Sequence, residues 1–343
     1  MTRLAVRRLA LGVLLSLPPP LLRLMAGGGV VHHAGRTLDP RLQFLATRAL
    51  AGLTLLSPEE ARRAVAEAQA RTAAPVDPSV SVEALSVQGG DGPVAVRAYR
   101  PQGQDPAAPL MVFAHAGGGV MGDLDTAHPF CALLAGVSRG PVLSVDYRLA
   151  PEHRFPAGFE DLLAAYHWGR QNAARFGAPP AEAAIGGDGA GASLAAAVCQ
   201  ALHDAGEPQP ALQLLIQPWM DIAPPPPAAG PDVFPLSRGL MAWCAGHYLR
   251  PGDDPADPRI SPGRRSDLSG LAPAVLATAG FDLTAARAEA YGQALREAGV
   301  PVIWRRYDSL AHGFTAVAGV VPAAERACRE IAGLVRGVAR TPA

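Results

Sequence analysis

Past Pro101 the chain alternates short apolar runs with longer segments of helical period, and this alternation restricts its fold more than any other feature. Apolar runs at 110–113, 142–145, 183–186, 212–216, 274–277 and 302–307 read as buried strands. Between and after them, 126–139, 159–176, 190–205, 283–297 and 323–338 read as helices. Strands that alternate with helices close into a mainly parallel sheet covered on both faces. Upstream, Val80, Val82 and Ala84, then Val94, Val96 and Ala98, alternate with smaller or polar residues. They predict two antiparallel strands with one exposed face, which makes about eight strands in an α/β architecture. With 343 residues, 49% of them apolar, the chain can bury the core this requires.

Residues 1–75 read as a helical segment. Positions 40–52 and 58–71 carry apolar residues at helical spacing, and Ser57 with Glu60 forms a capping-box pattern. Arg3, Arg7 and Arg8 precede an apolar run from Leu9 to Leu17 that Pro18-Pro19-Pro20 ends. The run is shorter than the ~20 residues of a membrane span. The preferred reading is an amphipathic helix over the mouth of a binding site; export or membrane contact through residues 1–25 is the alternative. Prolines 224–227, 231 and 235 interrupt both sheet and helix. The stretch 221–255, with a helix at 237–248, is therefore an excursion that joins the N-terminal helices as a cap over a core spanning 76–343.

Four segments point to acyl transfer. His115-Ala116-Gly117-Gly118-Gly119 follows a buried strand, and its glycines let the amides of Gly117 and Gly118 face a substrate oxygen as an oxyanion hole. Ile185-Gly186-Gly187-Asp188-Gly189-Ala190-Gly191-Ala192 is a strand-to-helix turn of small residues. The Ala190 amide, at the start of the helix, is a third oxyanion donor. Asp282 lies just beyond one strand and His312 just beyond the last. In the order turn, acid, histidine, Asp282 would orient the His312 imidazole and leave its other nitrogen as the base.

These segments resemble the hormone-sensitive-lipase-like branch of the α/β-hydrolases, which are carboxylesterases and lipases. The most specific match is Asp146-Tyr147-Arg148-Leu149-Ala150-Pro151-Glu152-His153-Arg154-Phe155-Pro156-Ala157. Gly122-Asp123-Leu124-Asp125-Thr126, Ser261-Pro262 and His312-Gly313-Phe314 add to it, and the resemblance runs from about residue 76 to the C-terminus. It implies an α/β-hydrolase fold with a helical cap and a serine at the tip of the turn. Here that tip is Gly189, which has no hydroxyl. Gly119 stands where the family carries a bulky aromatic, which predicts a wider acyl side of the pocket. Arg148 and Glu152 are read as ion-pairing residues that brace the oxyanion loop.

Other nucleophiles fit less well. Asp188 lies one position early. Ser193 lies one helical turn on, about 5.4 Å along the axis, and reads as a backbone-bonded helix serine. Gly187-Asp188-Gly189-Ala190-Gly191-Ala192 matches a dinucleotide fingerprint, but the next strand ends in Gln217-Pro218-Trp219 with no acid for a ribose. Two functions follow: a carboxylic-ester hydrolase scaffold for short or medium acyl esters, inactive or weakly active through a water on His312, or a binding module of the same fold. Cofactors and metals are not implied. Thirty basic against 30 acidic residues and no basic run argue against nucleic acid. The expected partner is a small apolar ester or carboxylate, with a homodimer possible and a cytoplasmic location preferred. Cys131, Cys199, Cys244 and Cys328 are scattered and read as buried thiols.

Overall fold

The computed structural model describes residues 3–48, 52–233 and 235–338. Its centre is an eight-stranded sheet: β1 Val80–Gly89, β2 Gly92–Pro101, β3 Leu110–Ala114, β4 Val142–Val145, β5 Ala183–Asp188, β6 Gln213–Ile216, β7 Ala274–Phe281 and β8 Val302–Ala311. The spatial order is β8-β7-β6-β5-β3-β4-β2-β1. β1 pairs antiparallel with β2 and β2 antiparallel with β4; all other neighbours are parallel.

Period-two alternation within the strands sorts the core into two layers. Leu110, Val112 and Ala114 of β3 face one layer, and Met111 and Phe113 face the other. The first layer is completed by α6 Ala157–Gln171, α7 Ala190–Asp204 and α9 Ala285–Glu297. The second is completed by α5 Leu124–Ser138 and α10 Pro322–Val338. Burial on both faces is why the central strands read as unbroken apolar runs.

Element ends differ from the sequence expectations where side chains cap or break them. α5 starts two residues early because Asp123 and Thr126 form a reciprocal capping box. The helix expected over 159–176 ends at Gln171, and Ala173–Phe176 is a 3₁₀ turn. The Ser57–Glu60 capping box is present at the start of α4 Pro58–Thr72.

The N-terminal segment is not wholly helical. α1 Arg3–Leu15 and α2 Pro19–Met25 are followed by a two-stranded ladder, His32–His33 with Arg36–Thr37, and then α3 Pro40–Arg48. The end of the helix expected over 40–52 falls partly on residues 49–51, which lie outside the described set. Leu38 and Leu42 pack in the second core layer, and Asp39 N–H donates to Ser309 O on β8. This segment therefore lines the sheet edge as well as the top of the molecule. In the excursion, α8 Arg238–Tyr248 packs with Leu53, Ala61, Val120 and Met121 in a separate apolar cluster above the strand ends.

Candidate active site

The small-residue turn at Gly189, the glycine loop, Asp282 and His312 each lie just past the carboxyl end of a strand. β5 ends at Asp188, α7 begins at Ala190, and Gly189 between them has φ +56° and ψ −121°. The packing around this turn demands small residues. A Cβ on Gly191 would meet Ala114 O at 2.2 Å, and one on Gly187 would meet Gly191 C at 2.3 Å. A Cβ on Gly189 fits: it would stand 3.4 Å from His312 Nε2 and 3.6 Å from Ala116 Cβ. Ser193 is committed elsewhere, since its hydroxyl donates to Trp219 O at 2.8 Å.

His312 directly follows β8 and Asp282 directly follows β7, and His312 Nδ1 lies 2.9 Å from Asp282 Oδ2. The other carboxylate oxygen accepts from the Thr284 amide and hydroxyl, each at 2.9 Å. Both lone-pair sides of Asp282 are thus occupied, which fixes the imidazole plane and leaves Nε2 facing position 189. Burial disfavours the imidazolium. The charge and hydrogen bond of Asp282, with Asp188 beyond, outweigh it and raise the His312 pKa above its ordinary value. Asp188 is itself buried and accepts from the Thr315 hydroxyl; burial raises its pKa.

The glycine loop approaches from β3. Gly117 and Gly118 have φ of +134° and +66°, and no group among the described residues accepts from either amide. The Ala190 amide, at the first turn of α7, likewise lies outside the helix ladder. His115 anchors the loop. It is buried and stacks on Tyr147 at 4.3 Å, its Nδ1 lies 2.8 Å from Ala116 O, and burial lowers its pKa to about 4, so it is neutral. A second anchor comes from α4. Arg62 donates through Nε to Val120 O and through a terminal nitrogen to Ala150 O, both at 2.8 Å, while pairing with Glu152 at 2.6 Å.

Two expectations need correction here. Glu152 braces the glycine loop through Arg62, but Arg148 does not: it forks onto buried Asp161, at 2.8 and 3.0 Å, and ties the loop after β4 to α6. Gly119 does not widen the pocket. A Cβ there would meet the Tyr248 ring at 2.7 Å, so an aromatic from α8 fills the space that the glycine leaves.

A cavity of about 1090 Å³ opens above His312. Its floor is the glycine loop, Phe113, Asp188 and Ala190, and its walls are mainly apolar: Leu42, Leu45, Phe130, Leu240 and Met241 among them. α4 and α8 contribute to the walls, as do Arg7 and Leu11 of α1. Cys244 also faces it, but burial pushes that thiol up to about 12, which leaves it protonated.

The sequence and fold have clear relatives. Residues 111–316 match a family described as the alpha/beta hydrolase fold. The chain belongs to the α/β-hydrolase fold family. Among α/β-hydrolases it is 42% identical over 310 residues to the carboxylic ester hydrolase LipN of Mycobacterium tuberculosis, covering 87% of this chain and 82% of that one. It is 33% identical over 276 residues to an ethyl acetate hydrolase of Pseudomonas putida, covering 79% and 87%. A solved structure of the ester hydrolase EH1AB1, from the metagenome of Lake Arreo, superposes with a TM-score of 0.82 at 35% identity over 94% of this chain and 98% of that one. An esterase from Pyrobaculum calidifontis gives 0.79 at 32% identity over 86% and 96%. These likenesses support the hormone-sensitive-lipase-like branch and a carboxylic-ester-hydrolase scaffold.

Within this α/β-hydrolase the segments named from the sequence lie together, but the sequence reading missed residues that hold them in place. Gln217, at φ +47°, donates to Ala311 O at 3.1 Å and accepts from Gly313 N–H at 2.9 Å, stapling the chain on both sides of His312. Thr284 and Arg62 were missed as well. The one available signal was the Asp282-x-Thr284 spacing, a common turn in which a hydroxyl and amide return to the carboxylate.

Proposed function

We propose that this chain is a carboxylic-ester hydrolase scaffold for short and medium acyl esters whose nucleophile position is Gly189. His312 is the base, Asp282 its orienter, and the amides of Gly117, Gly118 and Ala190 the oxyanion donors. Residues 1–75 and 221–255 form the cap. The observation that carries this reading is the 3.4 Å between His312 Nε2 and a Cβ built on Gly189. A serine oxygen one bond further falls within hydrogen-bond reach of that nitrogen, the distance a general base needs. The family members that are esterases supply the acyl-ester substrate class by likeness.

Glycine cannot form an acyl-enzyme, so the chain as it stands turns over only by His312 drawing a proton from a water. Oxyanion donors and binding alone leave ~10³–10⁴-fold over solution in enzymes that have lost a triad member. A second reading, a binding module, draws support from the same glycine and the apolar cavity: Gly117, Gly118 and His312 would hold the carboxylate of an apolar acid.

The test is p-nitrophenyl acetate, butyrate and octanoate with the chain as given and with Gly189→Ser. Near-background turnover in the first, and a gain of about 10³-fold or more with an acyl burst in the second, are expected. Absence of a gain, together with saturable binding of octanoate by the glycine form, would establish the binding module instead.

A further inference from the structure

The N-terminal helices are apolar on two sides. Leu11, Leu14 and Leu15 of α1 turn inward and pack with Leu17, Leu22 and Phe44. The opposite side carries Val6, Leu9, Ala10 and Val13, spaced i, i+3, i+4 and i+7, all exposed; Leu9 is 61% and Val13 62% accessible. α2 repeats the arrangement. Leu22 is buried, while Leu21, Leu24 and Met25 point out, Leu24 at 68%. Of the nine large apolar side chains exposed among the described residues, seven lie between Val6 and Val30. A helix that is apolar all round belongs in a core or against lipid. A patch concentrated in this way marks an interaction surface rather than scattered surface leucines.

The charge around the stripe selects the occupant. The chain as a whole is neutral, yet residues 1–38 hold Arg3, Arg7, Arg8, Arg23 and Arg36 with no aspartate or glutamate. Arg36 pairs with Asp308, and Arg8 donates to Ala73 O. No described carboxylate pairs with Arg7, Arg8 or Arg23. Arginines without a carboxylate partner, on helices that also carry an exposed apolar stripe, are the signature of a segment lying in the headgroup layer of an anionic membrane. Among the described residues no single helix is long and apolar enough to cross a membrane; Val6–Leu15 and Pro19–Met25 pass that test only as a pair bent by 112°. The bent pair lies on a surface more readily than through it.

We propose that α1 and α2 seat this protein on an anionic lipid surface, with Val6, Leu9, Val13, Leu21, Leu24 and Met25 in the acyl boundary and Arg7 and Arg23 on headgroups. Arg7 and Leu11 also wall the cavity above His312, so the docked face adjoins the cavity mouth. That adjacency makes the substrate a lipid-phase ester, a clause that rests on the ester reading; the docking itself does not.

Sedimentation of the full chain with vesicles tests the docking without any turnover. Vesicles of equimolar phosphatidylcholine and phosphatidylglycerol are expected to bind at least about tenfold more strongly than pure phosphatidylcholine, and less as salt rises. Leu9→Ser/Val13→Ser/Leu24→Ser should reduce partitioning about tenfold or more with an unchanged melting temperature, because the altered side chains are exposed. Arg7→Glu/Arg23→Glu should abolish the preference for phosphatidylglycerol. No binding by the intact chain, or binding that neither variant reduces, overturns the proposal. So does a dimer that the serine variant converts to monomer while vesicles bind neither form, since a second copy would then cover the stripe.

Discussion

A serine at position 189 would sit on backbone already shaped for it, and its effects on activity and stability have opposite signs. The φ of +56° is one that L-residues adopt at a cost of about 1–3 kcal/mol. Gly189→Ser is therefore expected to gain esterase activity while losing about that much stability in urea unfolding; a variant both active and more stable would contradict the strained turn. The pH profile of that variant tests the His312–Asp282 pair. Protonation of His312 removes the base, and Asp282 together with Asp188 raises its pKa despite burial, so the acid limb of kcat/KM should lie above the ordinary ~6.5. Asp282→Asn in the same background leaves burial as the main influence. The limb should then shift downward, with kcat reduced by up to ~10⁴-fold. A limb that stays in place on Asp282→Asn would mean that another group sets it.

At the scale of elements, the glycine loop depends on a helix 58 residues upstream. Arg62 satisfies the carbonyls of buried Val120 and Ala150, whereas its pairing with half-exposed Glu152 is a surface contact worth about 0–1 kcal/mol. Arg62→Ala should therefore cost about 1–3 kcal/mol and lower kcat in the Gly189→Ser background, while Glu152→Gln costs under about 1 kcal/mol. Equal effects of the two changes, measured by urea unfolding, would assign the work to the ion pair instead. The same long reach explains what the sequence hid. Strands and helices of the core were legible because burial imprints unbroken apolar runs on the central strands, a period of 2 on the first two strands and one of 3.6 on the helices. The His32–Thr37 ladder was not, because two-residue strands carry no period. Asp282 and His312 were legible from their place at strand ends and their order. Gln217 was not, since its partner Ala311 is 94 residues away and nothing local marks the contact. Gly119 was read as open space for a related reason: which side chain faces a glycine, here Tyr248 of α8, is a fact of packing between distant segments.

For the whole molecule, the cavity joins the strand ends of the sheet to helices from distant parts of the chain. Its floor is fixed by strand ends and the glycine loop, while its walls come from α1, α3, α4 and α8. At about 1090 Å³ it is at the upper end of small-molecule sites and holds more than an acetyl group. Each methylene buried against such walls contributes up to about 0.8 kcal/mol. In the Gly189→Ser background KM should accordingly fall from acetate through butyrate to octanoate. Ala68 of α4 lines this wall, and a large ring there takes volume from the cavity. Ala68→Trp should thus raise KM for octanoate by about tenfold or more, while changing acetate by less than about twofold. Equal losses on both esters would show that the substitution disturbs the catalytic floor. No loss on either would place the acyl chain in another arm of the cavity, away from α4.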